Sequence, residues 1–159
     1  MTGRIEPGTP SLPPWAARLG YAGLLPFVFC AAVALAMPEP EVRHLAGRAL
    51  LSYGAVILSF LGGVHWGVVL ADRPGRSAGM LMIGVLPSLG GWATLFLGFE
   101  TAVAVQVACF GGFWLYEHRV LGTGALPAPY LAMRRWLTLV ACASLGLALM
   151  APTLTPTRL

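Results

Sequence analysis

His65 is the first group in this sequence equipped for chemistry, because it stands inside an apolar run. The run is "SYGAVILSFLGGVHWGVVLAD", Ser52 to Asp72. An imidazole changes charge near neutral pH, and inside lipid it needs a polar partner or access to water. Helical rise places it about 10 Å from the end of its run marked by Asp72. On the same side, Tyr116-Glu117-His118-Arg119 closes a later apolar run and brings an acid to similar depth. The shared depth predicts that His65, Trp66 and Glu117 line a small inward-opening pocket, and Tyr21 and Tyr53 complete the candidate polar cluster. The alternative is purely structural: His65 hydrogen-bonds a serine or a backbone carbonyl and fixes helix packing.

Catalytic and metal patterns do not accompany this histidine. The sequence holds no serine-histidine-acid set, no metal-ligand spacing and no phosphate-cradling glycine loop. Cys30, Cys109 and Cys142 fall in three separate apolar runs and read as small packing residues. Gln106 is the one other strongly polar side chain deep in a run, too little for a proton path across about 30 Å of hydrocarbon. No enzyme activity, cofactor or metal is expected.

These groups must be positioned by helices in a membrane. Of 159 residues 57% are hydrophobic and only 10% charged, against about 25% charged in soluble domains. Five nearly charge-free runs stand out: Leu19–Met37, Ala49–Ala71, Ala78–Phe99, Thr101–Tyr116 and Trp136–Leu154. About 20 residues of helix cross the hydrocarbon, and no run alternates as a barrel strand would. The expected fold is therefore an all-α, polytopic transmembrane bundle of five helices. A tail over about 1–15 precedes one domain over about 16–155, with helices at about 18–37, 48–71, 78–99, 101–120 and 134–152. The fourth is the short one. Pro26 and Pro87 should bend the first and third helices. Pro38-Glu39-Pro40 closes the first, and Arg134-Arg135 restarts the fifth. Ala34-Leu35-Ala36 fits a signal-cleavage pattern, but the apolar run is longer than such peptides carry, so the segment is read as retained.

Arginine sets the orientation, since lysine is absent. With five spans, Arg4, Arg18, Arg73, Arg76, Arg119, Arg134 and Arg135 share one side, and Arg43, Arg48 and Arg158 the other. The excess predicts a cytoplasmic amino terminus and a periplasmic carboxyl terminus in a bacterial inner (plasma) membrane. The basic residues then meet lipid headgroups, and the sequence suggests no nucleic-acid partner.

Glycine supplies the expected helix contacts. Gly63 and Gly67 form G-x-x-x-G, widened by Gly62 and extended by Ser59, and Gly111-Gly112 repeats the pattern on the fourth helix. Such flat faces let backbones approach in lipid.

"GYAGLLPFV" (Gly20–Val28), "YGAVILSFLGGVHWG" (Tyr53–Gly67) and "GVLPSLGGW" (Gly84–Trp92) resemble a family of small bacterial inner-membrane proteins classed as a domain of unknown function. That family includes a mitochondrial transmembrane relative. The resemblance implies a five-helix integral membrane protein and no activity. The function favoured from the residues is a non-catalytic accessory or assembly component that docks other membrane proteins through glycine-rich faces. The alternative is a binder or carrier of a lipophilic molecule (a quinone, lipid or tetrapyrrole) in the pocket around His65.

Overall fold

Proline decides the shape of the first span. In the computed structural model, which describes residues 13–71, 78–121 and 126–151, α1 (Pro14–Ala22) and α2 (Leu25–Ala36) form one apolar rod with a break at Gly23-Leu24. Pro26 in the first turn of α2 has no amide to close on the preceding turn. The chain compensates with tight turns, Gly23 N–H to the Leu19 carbonyl and Leu24 N–H to the Tyr21 carbonyl, both at 3.0 Å. The exposed Gly23 carbonyl accepts the Tyr53 hydroxyl at 2.9 Å. A neighbouring helix thus satisfies a backbone group that lipid cannot.

The remaining rods are α3 (Pro40–Ala71), α4 (Ala78–Thr94), α5 (Phe99–Tyr116) and α6 (Ala128–Ala148). A π-helical turn, Glu117–Leu121, carries α5 onward. The structure is the expected five-rod helical bundle. Four rods are long and apolar enough to cross a membrane, Pro14–Ala36, Pro40–Leu70, Phe99–Leu121 and Ala128–Ala148, and Gly79–Thr94 is a shorter apolar helix. Neighbours form a ring in the order α2, α3, α4, α5, α6 and back to α2, with α3 also reaching α5 across the middle.

Several boundaries differ from the sequence expectation. Pro40 opens α3 rather than closing the preceding helix, since proline suits a first helical turn and Glu41 there complements the helix dipole. The short rod is α4, not the fourth span. Thr94 donates to the Gly91 carbonyl at 2.6 Å, and successive three-residue turns through Leu97 end the helix inside the apolar run. The α5 rod gains its length from the π turn. Helix α6 begins at Ala128, where Pro127 and Pro129 start a helix instead of prolonging a loop. Arg134 and Arg135 consequently lie within α6. The tail over 1–12, the loop over 72–77 and Arg158 lie outside the described residues.

The distribution of side chains is that of a protein in lipid. Leu70, Met82, Phe96 and Met150 are each more than 70% exposed, while Glu117, Gln106 and Thr94 are fully buried. Apolar groups outside and satisfied polar groups inside are what a hydrocarbon surround demands. Phe27, Leu50, Leu58, Val103, Phe110 and Leu145 fill the centre, with Phe27 edge-on to both Tyr53 and Phe110.

Glycine contacts are concentrated on the α3–α4 seam. A Cβ on Gly62 would collide with the Gly84 carbonyl, and one on Gly91 would lie 2.9 Å from the Ala55 Cα. Seven residues on from Ala55 along α3 is Gly62, and seven back from Gly91 along α4 is Gly84. That is the register of two antiparallel helices at minimum separation. Among the described residues, Gly63, Gly67, Gly111 and Gly112 have nothing within 4 Å of a Cβ, and Ser59 is exposed. The expected G-x-x-x-G contact is therefore corrected: among the described residues, Gly62 is the member of that set that packs against another helix. The pattern identifies a flat face but not the neighbour that uses it.

Candidate functional site

Glu117 is the starting point, because a fully buried carboxylate in a span requires a counter-charge. The partner is Arg134, not His65. Arg134 Nε lies 2.9 Å from Glu117 Oε2, and both side chains are essentially inaccessible. Arg134 Nη1 donates to Thr138 Oγ1 at 2.6 Å, one turn along α6. The Tyr130 hydroxyl adjoins the same carboxyl group. A guanidinium holds its charge at any physiological pH and offers a planar fork to the carboxylate, which an imidazole does not. Arg134 Nη2 has no hydrogen-bond partner among the described residues.

His65 sits beside this pair without joining it. It is 1% exposed, and its ring packs 4.7 Å from that of Phe113 and 6.0 Å from that of Tyr116. Nδ1 lies 3.3 Å from the Leu61 carbonyl, a geometry that assigns the proton to Nδ1. Nε2 is buried with no partner among the described residues. The polar contact with its own helix is the structural arrangement weighed above. Trp66 turns the other way: the residue is 41% exposed, and Nε1 donates to the Leu81 carbonyl at 3.2 Å, tying α3 to α4. Tyr21 is exposed, and Tyr53 is committed to the α1–α2 break. The five residues expected in one cluster are therefore distributed over three places.

The cavity lies elsewhere too. A volume of about 490 Å³ opens between α3 and α6, with α1 as a wall and Phe110 of α5 as the floor. Its lining is hydrocarbon from Leu24, Ile57, Leu61, Val64 and Leu137, and the polar exceptions are Tyr130 and Arg134. Neither His65, Trp66 nor Glu117 lines it. Leu19 and Phe60, also in the lining, are about 70% exposed on the outer surface, so the mouth faces sideways into lipid. A shallower groove of about 340 Å³ follows the α4–α5 seam past Pro87, Cys109 and Gly112. Volumes of about 300–1,000 Å³ with a few placed polar groups are typical of small-ligand sites.

A second buried polar group occupies the α3–α4–α5 junction. Gln106 Nε2 donates to the Leu51 carbonyl at 2.8 Å and to Thr94 Oγ1 at 2.9 Å. Its Oε1 faces Gly54, where any Cβ would collide with it. These bonds close three helices around one amide, and nothing about them opens to a cavity. Arg134 was the site residue missed in the sequence. Its signal was present: Leu131, Arg134, Thr138, Ala141 and Leu145 fall on one helical face, and all are buried.

Residues 12–150 match the family described as "Protein of unknown function (DUF3429)". Transmembrane protein 69 of Xenopus tropicalis is 39% identical over 133 residues, 80% of this chain and 50% of that protein. The chain spans about half the length of the curated relative it matches. No solved structure matches it.

Proposed function

The chain belongs to the DUF3429 family, and for this membrane protein we propose a non-catalytic role: binding or carrying a lipophilic molecule in the cavity between α3 and α6. The observation that carries the reading is the combination of an apolar cavity, a mouth on the lipid side and a buried guanidinium in the wall. A water-soluble ligand gains nothing from such a mouth, whereas a molecule dissolved in the bilayer reaches it directly. The site assigned to His65 in the sequence thereby moves to Arg134 and Tyr130. Placement in a bacterial inner membrane with a cytoplasmic amino terminus is part of the proposal. Its support is the arginine bias.

The test is gentle extraction followed by mass spectrometry of co-purifying small molecules. Val64 is half-buried and lines the cavity, so Val64→Phe fills the space from within α3. A molecule retained by the wild-type protein and lost from Val64→Phe is the expected result. Equal retention by both would overturn the reading.

A second reading, an accessory component docked onto another membrane protein, is supported by the outer face of α3. Ser59, Gly63 and Gly67 are exposed there, with no neighbour to the two glycines among the described residues. That face suits a helix of a partner, and Gly63→Leu should then abolish co-purification of that partner without unfolding the bundle.

A further inference from the structure

We infer that the cavity selects a neutral head bearing a carbonyl acceptor on a long apolar tail, the chemistry of an isoprenoid quinone, over an amphiphile with an anionic head. The inference rests on the binding reading above and adds the class of head group. The argument begins with the charge at the cavity wall. Arg134 lines the cavity, yet its charge is already balanced by Glu117 at 2.9 Å. An arriving carboxylate or phosphate would meet a neutral pair, not a free cation. Glu117 does not line the cavity, so what an anionic head loses on entry is its hydration, and a guanidinium that is already paired does not repay that loss. An ammonium head would lose its hydration likewise and face the Arg134 charge. What the pair still offers is a donor: Nη2, buried and without a partner among the described residues.

A buried N–H that lacks an acceptor is costly, and an acceptor supplied by a ligand recovers that cost. A carbonyl oxygen accepts without bringing charge. Thr138 already accepts from Nη1 and Glu117 faces Nε, so Nη2 is the guanidinium nitrogen with neither an acceptor nor a counter-charge among the described residues. The rest of the lining is hydrocarbon or aromatic and suits a ring and its chain. The lipid-side mouth, where Leu19 and Phe60 lie, lets a long tail remain in the bilayer while the head enters. Binding is reversible and involves no bond exchange.

Isothermal titration calorimetry on the whole protein in phosphatidylcholine nanodiscs tests this, with decyl-benzoquinone and oleate as probes. The expected result is saturable quinone binding to the wild type, with oleate weaker by at least about tenfold and unable to displace it, as burial of one uncompensated charge implies. Val64→Phe should abolish quinone binding. Glu117→Gln frees the Arg134 charge and should reverse the preference toward oleate. If that variant does not fold, the wild-type competition alone decides. Oleate binding as tightly as quinone, with both lost in Val64→Phe, would overturn the head-group assignment and leave the cavity as a ligand site. No saturable binding of either probe, or quinone binding untouched by Val64→Phe, would overturn the cavity reading itself.

Discussion

Gly62 and Gly84 touch backbone to backbone, and no side chain, however small, fits on Gly62 against the Gly84 carbonyl. Gly62→Val should therefore force α3 and α4 apart and cost about 1–3 kcal/mol or more, the range for overpacking a tight contact. Gly63→Ala and Gly67→Ala meet open space and should change stability little. Unfolding titrations in mixed micelles compare the three directly, and equal effects at positions 62 and 63 would contradict the register.

The Gln106 amide and Gly54 are coupled by space: a Cβ on Gly54 would collide with Oε1, while Nε2 is held by the Leu51 carbonyl and Thr94. Gly54→Ala should destabilise the wild-type bundle and be tolerated once Gln106 is shortened to Ala. The double-mutant cycle should return a coupling of about 0.5–3 kcal/mol. Strict additivity would mean that the two do not share the site.

The Glu117–Arg134 pair should behave as buried pairs do. Arg134→Leu alone leaves a buried carboxylate uncompensated and should cost about 3–5 kcal/mol, and Glu117→Gln alone should fall in the same range. The combined variant carries no buried charge and should be more stable than either single one. Thermal unfolding in detergent reads this order.

His65 presents the opposite case, full burial with a poor return. Its Nε2 has no partner among the described residues, and its Nδ1 contact at 3.3 Å stays within its own helix. His65→Leu preserves bulk beside Phe113 and Tyr116 and removes a desolvated nitrogen, so stability should change by less than about 1 kcal/mol. A loss of several kcal/mol would show that a water or ligand normally meets Nε2.

Five crossings, with α4 spanning alongside the four longer rods, would put the start of α1 and the end of α6 on opposite faces of a membrane. In a bacterial host, alkaline phosphatase fused after α6 should be active and the same reporter before α1 inactive. The reverse pattern would invert the orientation inferred from arginine.

Much of the fold was legible because charge marks the limits of a span more sharply than any helix signal does. The boundaries were less so. Hydropathy does not distinguish a helix from a run of turns, so Leu95-Phe96-Leu97 was read as helix, although the Thr94 hydroxyl ends it. The depth of His65 and Glu117 was read well enough to place both beside Phe113 and Tyr116. The two do not pair, because a fifth helix that starts at Arg134 leaves this cation at the membrane face, whereas α6 starts at Ala128 and carries it to Glu117. Pro127 and Pro129 read in a sequence as loop residues, yet they begin α6, and moving its start from 134 to 128, about one and a half turns, carries a cation into the interior. The glycines failed differently. A doublet is conspicuous in a sequence, yet Gly62 needs only the solitary Gly84 opposite, and no spacing rule announces a partner on another helix.

The clasp between Tyr53 and the Gly23 carbonyl bears on biogenesis. Its acceptor leaves the ribosome thirty residues ahead of its donor, so the first rod enters the bilayer with an open backbone group at its break. Only when the second rod follows is that group covered. The Tyr53 hydroxyl closes the break at that moment, which favours entry of the two rods into lipid as a hairpin.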